Sequence, residues 1–231
     1  MKYENKLGFK INPEGNRVKW SAENLPLSNQ VNADFWRLHI DDGYSREMMI
    51  RSSQQKGSVK ETMHGYDIFY NTLTGTDGRS FNVNLTIHIV NNVGNCYEFW
   101  ADVENNDNAR VNEIQLPFID LTTLCDENRS NDKLYRSRGL GECIKNPWKA
   151  LDSAHTEYMA ADYNEIWSPM LYPRPCSMSW YGIESAGHFL YVGRHDNDFR
   201  ICNMLTGIAP RNTEPRLISA VSHYPRAEKG E

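Results

Sequence analysis

The residues best suited to chemistry in this 231-residue chain are aromatic rings placed beside ionisable side chains. The densest grouping runs from Tyr172 to Asp198, where Arg174 and Trp180 precede a turn and Tyr191, Arg194, His195 and Asp196 follow it. Indole and phenol rings offer apolar faces to the C–H bonds of sugars, while Arg, Asp, Asn and His satisfy the hydroxyls. A second grouping is Glu98, Trp100 and Asp102, which alternate along one segment and so share one face of a strand. Trp148 and Trp167 lie beside polar groups in segments without clear periodicity and are further candidates for contact. The candidate contact residues are therefore Arg174, Trp180, His195, Asp196, Trp148, Trp167, Trp100 and Asp102, although the position of Trp180 inside a strand also suits core packing.

Other chemistries find less support. The seven histidines are scattered without HxH or HExxH spacing, so no metal-ligand template is met, and no EF-hand-like loop is present for calcium. No G-x-S-x-G elbow occurs, no cysteine carries a nucleophile signature, and Gly139-Leu140-Gly141 lacks the strand-then-helix context of a phosphate loop. Thirty acidic residues would allow a carboxylate pair for glycoside hydrolysis, but the sequence does not say which two lie at a working separation. No catalytic residue, cofactor or metal is expected from this reading.

These groups must be positioned by strands. In FNVNLTIHIV, Phe81, Val83, Leu85, Ile87 and Ile89 alternate with polar residues, the period of a half-buried antiparallel strand. The segment 97–103 returns with Tyr97, Phe99, Ala101 and Val103 inward. Further strands are expected near 17–20, 35–41, 46–52, 66–73, 111–119, 199–204 and 217–223. The Tyr172–Asp198 stretch reads as a hairpin, with strands 177–184 and 188–194 joined at Ser185-Ala186-Gly187. Each face carries an apolar set, which predicts burial between two layers. A short helix fits 150–161 in the weakly patterned region 120–168. The closing PRAEKGE is polar and reads as a frayed terminus or a cut linker. The expectation is an all-β, antiparallel sandwich with a few short helices in its connections, occupying residues 1–231 as a single domain.

Composition limits the partners. The net charge of −5 and the lack of a dense Lys/Arg cluster argue against a general nucleic-acid binder. The opening MKYENKLGFK has no apolar core of a signal peptide, and no apolar run approaches the roughly 20 residues of a membrane span. Five cysteines without CxxC spacing cannot form a complete disulfide framework, so reduced thiols in a cytoplasmic protein are expected.

Tyr172-Pro173-x-Pro175-x-Ser177-Met178-x-Trp180, followed by Phe189-Leu190-Tyr191-Val192-Gly193-x-His195-Asp196, resembles a pattern in bacterial glycoside hydrolases similar to the α-galactosidase and endo-α-N-acetylgalactosaminidase group. FWRLHIDDG, GYDIFYNTL, NVNLTIHIV and VNEIQLPFI fit the strand order of the same domain. The resemblance implies a galactose-mutarotase-like β-supersandwich preceding a catalytic (β/α)8 barrel of the same parent chain, a barrel that alone takes about 250 residues. It further implies a non-catalytic module that packs on that barrel and contacts carbohydrate. Two alternatives stay open: a mutarotase-like epimerase recruiting His155, His195, Glu98 or Asp102, and a stand-alone carbohydrate-binding module.

Overall fold

The computed structural model describes residues 7–22, 28–29, 34–43, 47–93, 95–123, 129–153, 158–160, 165–174, 176–195, 200–209 and 216–231. The chain is all-β and antiparallel. Its strands, in order, are β1 (Leu7–Ile11), β2 (Val18–Ala22), β3 (Ser28–Asn29), β4 (Arg37–Asp41), β5 (Met48–Arg51), β6 (Ser58–Thr62), β7 (Gly65–Tyr70), β8 (Leu73–Thr74), β9 (Ser80–Phe81), β10 (Val83–Val93) and β11 (Cys96–Asn105). They continue with β12 (Arg110–Thr123), β13 (Lys133–Arg138), β14 (Glu142–Lys145), the helix α1 (Pro147–Ser153), β15 (Tyr158–Ala160), β16 (Glu165–Tyr172), β17 (Cys176–Ser185), β18 (His188–Gly193), β19 (Cys202–Ala209) and β20 (Arg216–His223). Contacts divide the chain into two compact units, residues 1–24, 31–118 and 224–231 in the first and 25–30 and 119–223 in the second.

In the first unit, a four-stranded sheet has the order β11-β10-β7-β6. The alternation in β10 sets its sidedness: Val83, Leu85, Ile87 and Ile89 are buried, while the intervening residues look outward. Strand β4 pairs with β5 and with the first part of β12, and contributes Leu38 and Ile40 to the core. Strand β12 runs through Pro117 and on to Thr123, beyond the 111–119 expected. A proline removes only its own N–H, and bonding resumes at once, Phe118 N–H donating to the Phe35 carbonyl at 2.8 Å. The closing residues are not frayed: Val111 and Ala227 exchange two 3.0 Å backbone bonds, and Gly230 and Glu231 both bond to the backbone of buried Asn105.

At the buried edge of this unit, Asp34 receives Arg37 Nε at 2.9 Å, Arg51 Nε at 2.8 Å and the Ser53 hydroxyl at 2.7 Å. Burial pushes this carboxyl up, but the two guanidiniums and the Ser53 hydroxyl outweigh it and hold it below the usual carboxylate range.

In the second unit, one sheet has the order β14-β13-β17-β18, and strands β15, β16, β19 and β20 pair in that succession. Its core gathers Leu134, Trp148, Leu151, Met170, Tyr181, Ile183, Met204 and Val221, among others. Among the described residues, the region read as weakly patterned holds β13, β14, β15, the start of β16 and the helix α1. The helix spans Pro147–Ser153, earlier and shorter than 150–161, with the Asn146 side chain accepting from the Lys149 N–H at 3.2 Å at its start.

Candidate functional site

The Tyr172–Asp198 hairpin forms as strands β17 and β18, but its turn is two residues long. Ser185 pairs with His188, leaving Ala186 at φ 48° and Gly187 at φ 79°. Two successive left-handed residues match the twist of the flanking strands, as tight hairpin turns require. Burial on both faces is corrected. Tyr181, Ile183 and Val192 enter the core from one face, whereas on the other Phe189 is 53 % exposed, Tyr191 46 % and Met178 56 %. Strand β18 ends the sheet order among the described residues, so only β17 lies beside it.

The open face carries a row of rings. Tyr135 and Phe189 have centroids 5.8 Å apart, Trp180 stacks on Tyr191 at 6.0 Å and 25°, and Tyr191 meets His195 at 5.7 Å. The Tyr191 hydroxyl lies 3.0 Å from His195 Nε2. The rings recline because glycines leave room beneath them. A Cβ at Gly182 would lie 2.7 Å from Cε1 of Phe189, and one at Gly193 would lie 2.7 Å from Cζ of Tyr191. Beside the rings, Glu184 accepts from Lys133 Nζ at 2.7 Å and from the Tyr135 hydroxyl at 2.6 Å. The Lys133 and Tyr135 hydrogen bonds hold Glu184 below the usual carboxylate range, and the same carboxylate pushes Lys133 and Tyr135 up. The result is a flat apolar surface with a charged, hydrogen-bonding flank.

The expected contact residues fall into distinct places. Trp180 and His195 belong to this row. Arg174 is exposed in the turn that follows β16, and Asp196, like His155, lies outside the described residues. Trp148 and Trp167 do not reach the surface: they are 5 % and 4 % exposed. The Trp148 indole N–H donates to Asp132 at 2.7 Å with the Arg129 guanidinium 4.6 Å over the ring, and the Trp167 N–H donates to Glu165 at 3.0 Å. Both are packing residues whose polar tips are satisfied internally. Phe189, Tyr135, Gly182 and Gly193 were missed. The alternation placed Phe189 and Tyr191 on one face, but did not say that this face is left open.

In the first unit Trp100 and Asp102 do stand together, on the outward face of β11. Trp100 is 46 % exposed and stacks on His88 at 4.9 Å and 14°. His88, one strand inward, lies 2.7 Å from Asp67 through Nδ1 and 3.1 Å from Asp102 through Nε2. Both ring nitrogens of His88 are thus engaged by carboxylates. Glu98 is exposed on the same strand face.

Among the described residues, no group of three or more His, Cys, Asp or Glu side chains is arranged to hold a metal ion, and no helix is long and apolar enough to cross a membrane. No family model, no curated protein and no solved structure matches this chain.

Proposed function

We propose that this chain is a non-catalytic carbohydrate-binding β-sandwich module and that the ring face of the β17–β18 hairpin is its glycan-contact surface. The observation that carries the reading is the reclining array of Tyr135, Phe189, Tyr191 and Trp180, supported over Gly182 and Gly193 and left open on an outer sheet face. Rings lying along a sheet present broad apolar faces at low conformational cost, which suits the C–H face of a pyranose. His195, Glu184 and Lys133 stand at hand for its hydroxyls. The hairpin's likeness to the sandwich of glycoside hydrolases extends the proposal. In the parent protein the module packs beside a catalytic (β/α)8 barrel and delivers glycan to it. A reducing, cytoplasmic setting is in keeping with Cys96, Cys143, Cys176 and Cys202, which form no disulfide.

The test is a glycan array followed by titration of the best ligand against wild type, Tyr191→Ala and Trp180→Ala. Each lost stacking partner is worth about 0.5–1.5 kcal/mol beyond its buried area, so affinity should fall roughly 3- to 10-fold or more in each variant. Absence of binding to every glycan, or binding unchanged in both variants, would overturn the proposal.

A further inference from the structure

We propose that the outer edge of β11 docks an extended polypeptide segment of a partner protein, one in which basic and apolar residues alternate, and takes it up as a further strand of the sheet. Strand β11 belongs to the first unit and the ring face to the second, so the proposal stands apart from the glycan reading.

The backbone of β11 is set up to accept a neighbour. The strand ends the sheet order β11-β10-β7-β6, with no strand beyond it among the described residues. In an antiparallel sheet, successive residues turn their N–H and carbonyl groups alternately toward one neighbour and the other. Asn105 sets the phase: its N–H donates to the Glu231 carbonyl at 2.7 Å and its carbonyl accepts from the Gly230 N–H at 2.7 Å, both on the side away from β10. Val103, Ala101 and Phe99, which stand opposite Leu85, Ile87 and Ile89, share that phase and turn their backbone groups the same way. Among the described residues no backbone group meets them there. Edge strands are commonly blunted by proline or lysine, and the ten residues of β11 contain neither. A row of this kind holds an added strand through main-chain bonds, and the side chains beside it decide which strand.

Both faces of the edge specify the occupant. On the inward side Tyr97, Phe99, Ala101 and Val103 are only half-buried, whereas Leu85, Ile87 and Ile89 opposite them on β10 are fully buried. Phe9 and Trp20 pack on this row, Phe9 with its centroid 5.7 Å from Tyr97 and Trp20 5.8 Å from Phe99. Apolar residues opposite Phe99, Ala101 and Val103 would continue that layer and finish covering it. On the outward side Glu98, Trp100, Asp102 and Glu104 are all exposed, three carboxylates and an indole with no basic residue among them. One face of Trp100 rests on His88, and an indole with carboxylates two positions to either side is a seat for a cation. Residues facing Glu98, Trp100 and Asp102 from an added strand fall in the pairs that exchange no hydrogen bonds, where side chains approach most closely. Lysine or arginine at those alternate positions meets a carboxylate or the indole. A second copy of β11 would instead set one acidic row beside another, so the same charges oppose self-pairing.

The experiment is fluorescence anisotropy of a labelled peptide, acetyl-(Lys-Val)3-Lys-amide, titrated with the full chain. It should bind, and acetyl-(Glu-Val)3-Glu-amide should bind about 10-fold or more weakly. Methylating the backbone nitrogens of the valines removes the donors that face β11 and should weaken binding about 10-fold or more, whereas methylating those of the lysines, which face away, should leave it intact. Ala101→Pro removes only an N–H that points away from β10, so the variant should fold as wild type by circular dichroism and lose the peptide. Should it fail to fold, the two methylated peptides decide alone. Glu98→Lys combined with Asp102→Lys should reverse the preference between the basic and acidic peptides. No binding of the Lys-Val peptide, equal effects of the two methylations, full binding by folded Ala101→Pro, or an unreversed charge preference would each overturn the proposal. So would a dimer of the wild-type chain in sedimentation that Ala101→Pro abolishes, because the edge would then belong to a second copy.

Discussion

Gly182→Ala is the sharpest test of the ring face, because it adds one methyl group at a place where the consequences can be worked out. The new Cβ would overlap the tip of the Phe189 ring, which must swing away from the sheet. Phe189 is 53 % exposed, so roughly half of a side chain whose full surface is about 200 Å² now rests on the sheet and on Tyr135. Losing all of that contact, about 100 Å² at 25 cal/mol per Å², costs about 2.5 kcal/mol. Alanine recovers about 0.5–1 kcal/mol, because glycine in a strand interior carries an entropic penalty. A ring that redocks partly recovers more, so the net loss of stability should be about 1 kcal/mol in urea denaturation, with the fold intact. Glycan affinity should drop more visibly, since the flat surface is broken at its centre. Gly187→Ala is the control: nothing lies within 4 Å of its Cβ, but its φ of 79° penalises alanine. It should lose stability while keeping glycan affinity. A Gly182→Ala protein more stable than wild type, or one that binds glycan as tightly as Gly187→Ala does, would refute the reasoning.

Asp34→Ala should destabilise the protein by about 3 kcal/mol or more, because the fully buried Arg37 would lose its carboxylate partner, whereas Arg51 can turn to water. The folded carboxyl of Asp34 sits below its unfolded value, so its contribution is full above the ordinary carboxylate pKa and disappears as pH falls through the folded one. The denaturation midpoint of wild type should therefore fall steeply below about pH 4, and that of Asp34→Ala less so; parallel acid curves would contradict this. Alkylation with iodoacetamide followed by peptide mapping should mark Cys96 and Cys143 in the native protein, and Cys176 and Cys202 only after unfolding. Burial also pushes the Cys176 thiol up, leaving less thiolate to react, so equal labelling rates at Cys96 and Cys176 would contradict the fold.

Much of the architecture was legible in the residues themselves. The period-two pattern of β10 fixed both its existence and its sidedness, and through it the outward position of Trp100 and Asp102 on β11. The β17–β18 hairpin could be read to within two residues because Ala186-Gly187 sits between two apolar runs. Strands β13 to β16 escaped notice for a physical reason: two of the four have only three or four residues, too few for a period to register, and β16 runs through Pro169. The candidate site was less legible. Whether Trp148 faces water depends on Asp132 and Arg129, 16 and 19 positions earlier, which no local pattern reveals. The shelf under Phe189 and Tyr191 depends on which way rings lean along a strand and on which glycines pair beneath them, a property of strand pairing, not of any single segment.

The bonds from Ala227, Gly230 and Glu231 to Val111 and Asn105 bear on the order of synthesis. The first unit is discontinuous in the chain, with all of residues 119–223 between its main part and the segment that completes it. On the ribosome, residues 31–118 emerge early, yet Asn105 and Val111 stay unpaired on that side until residues 224–231 have emerged. The second unit is therefore translated, and free to fold, inside an unfinished first one. Emergence of residues 224–231 is what lets the earlier-made half close.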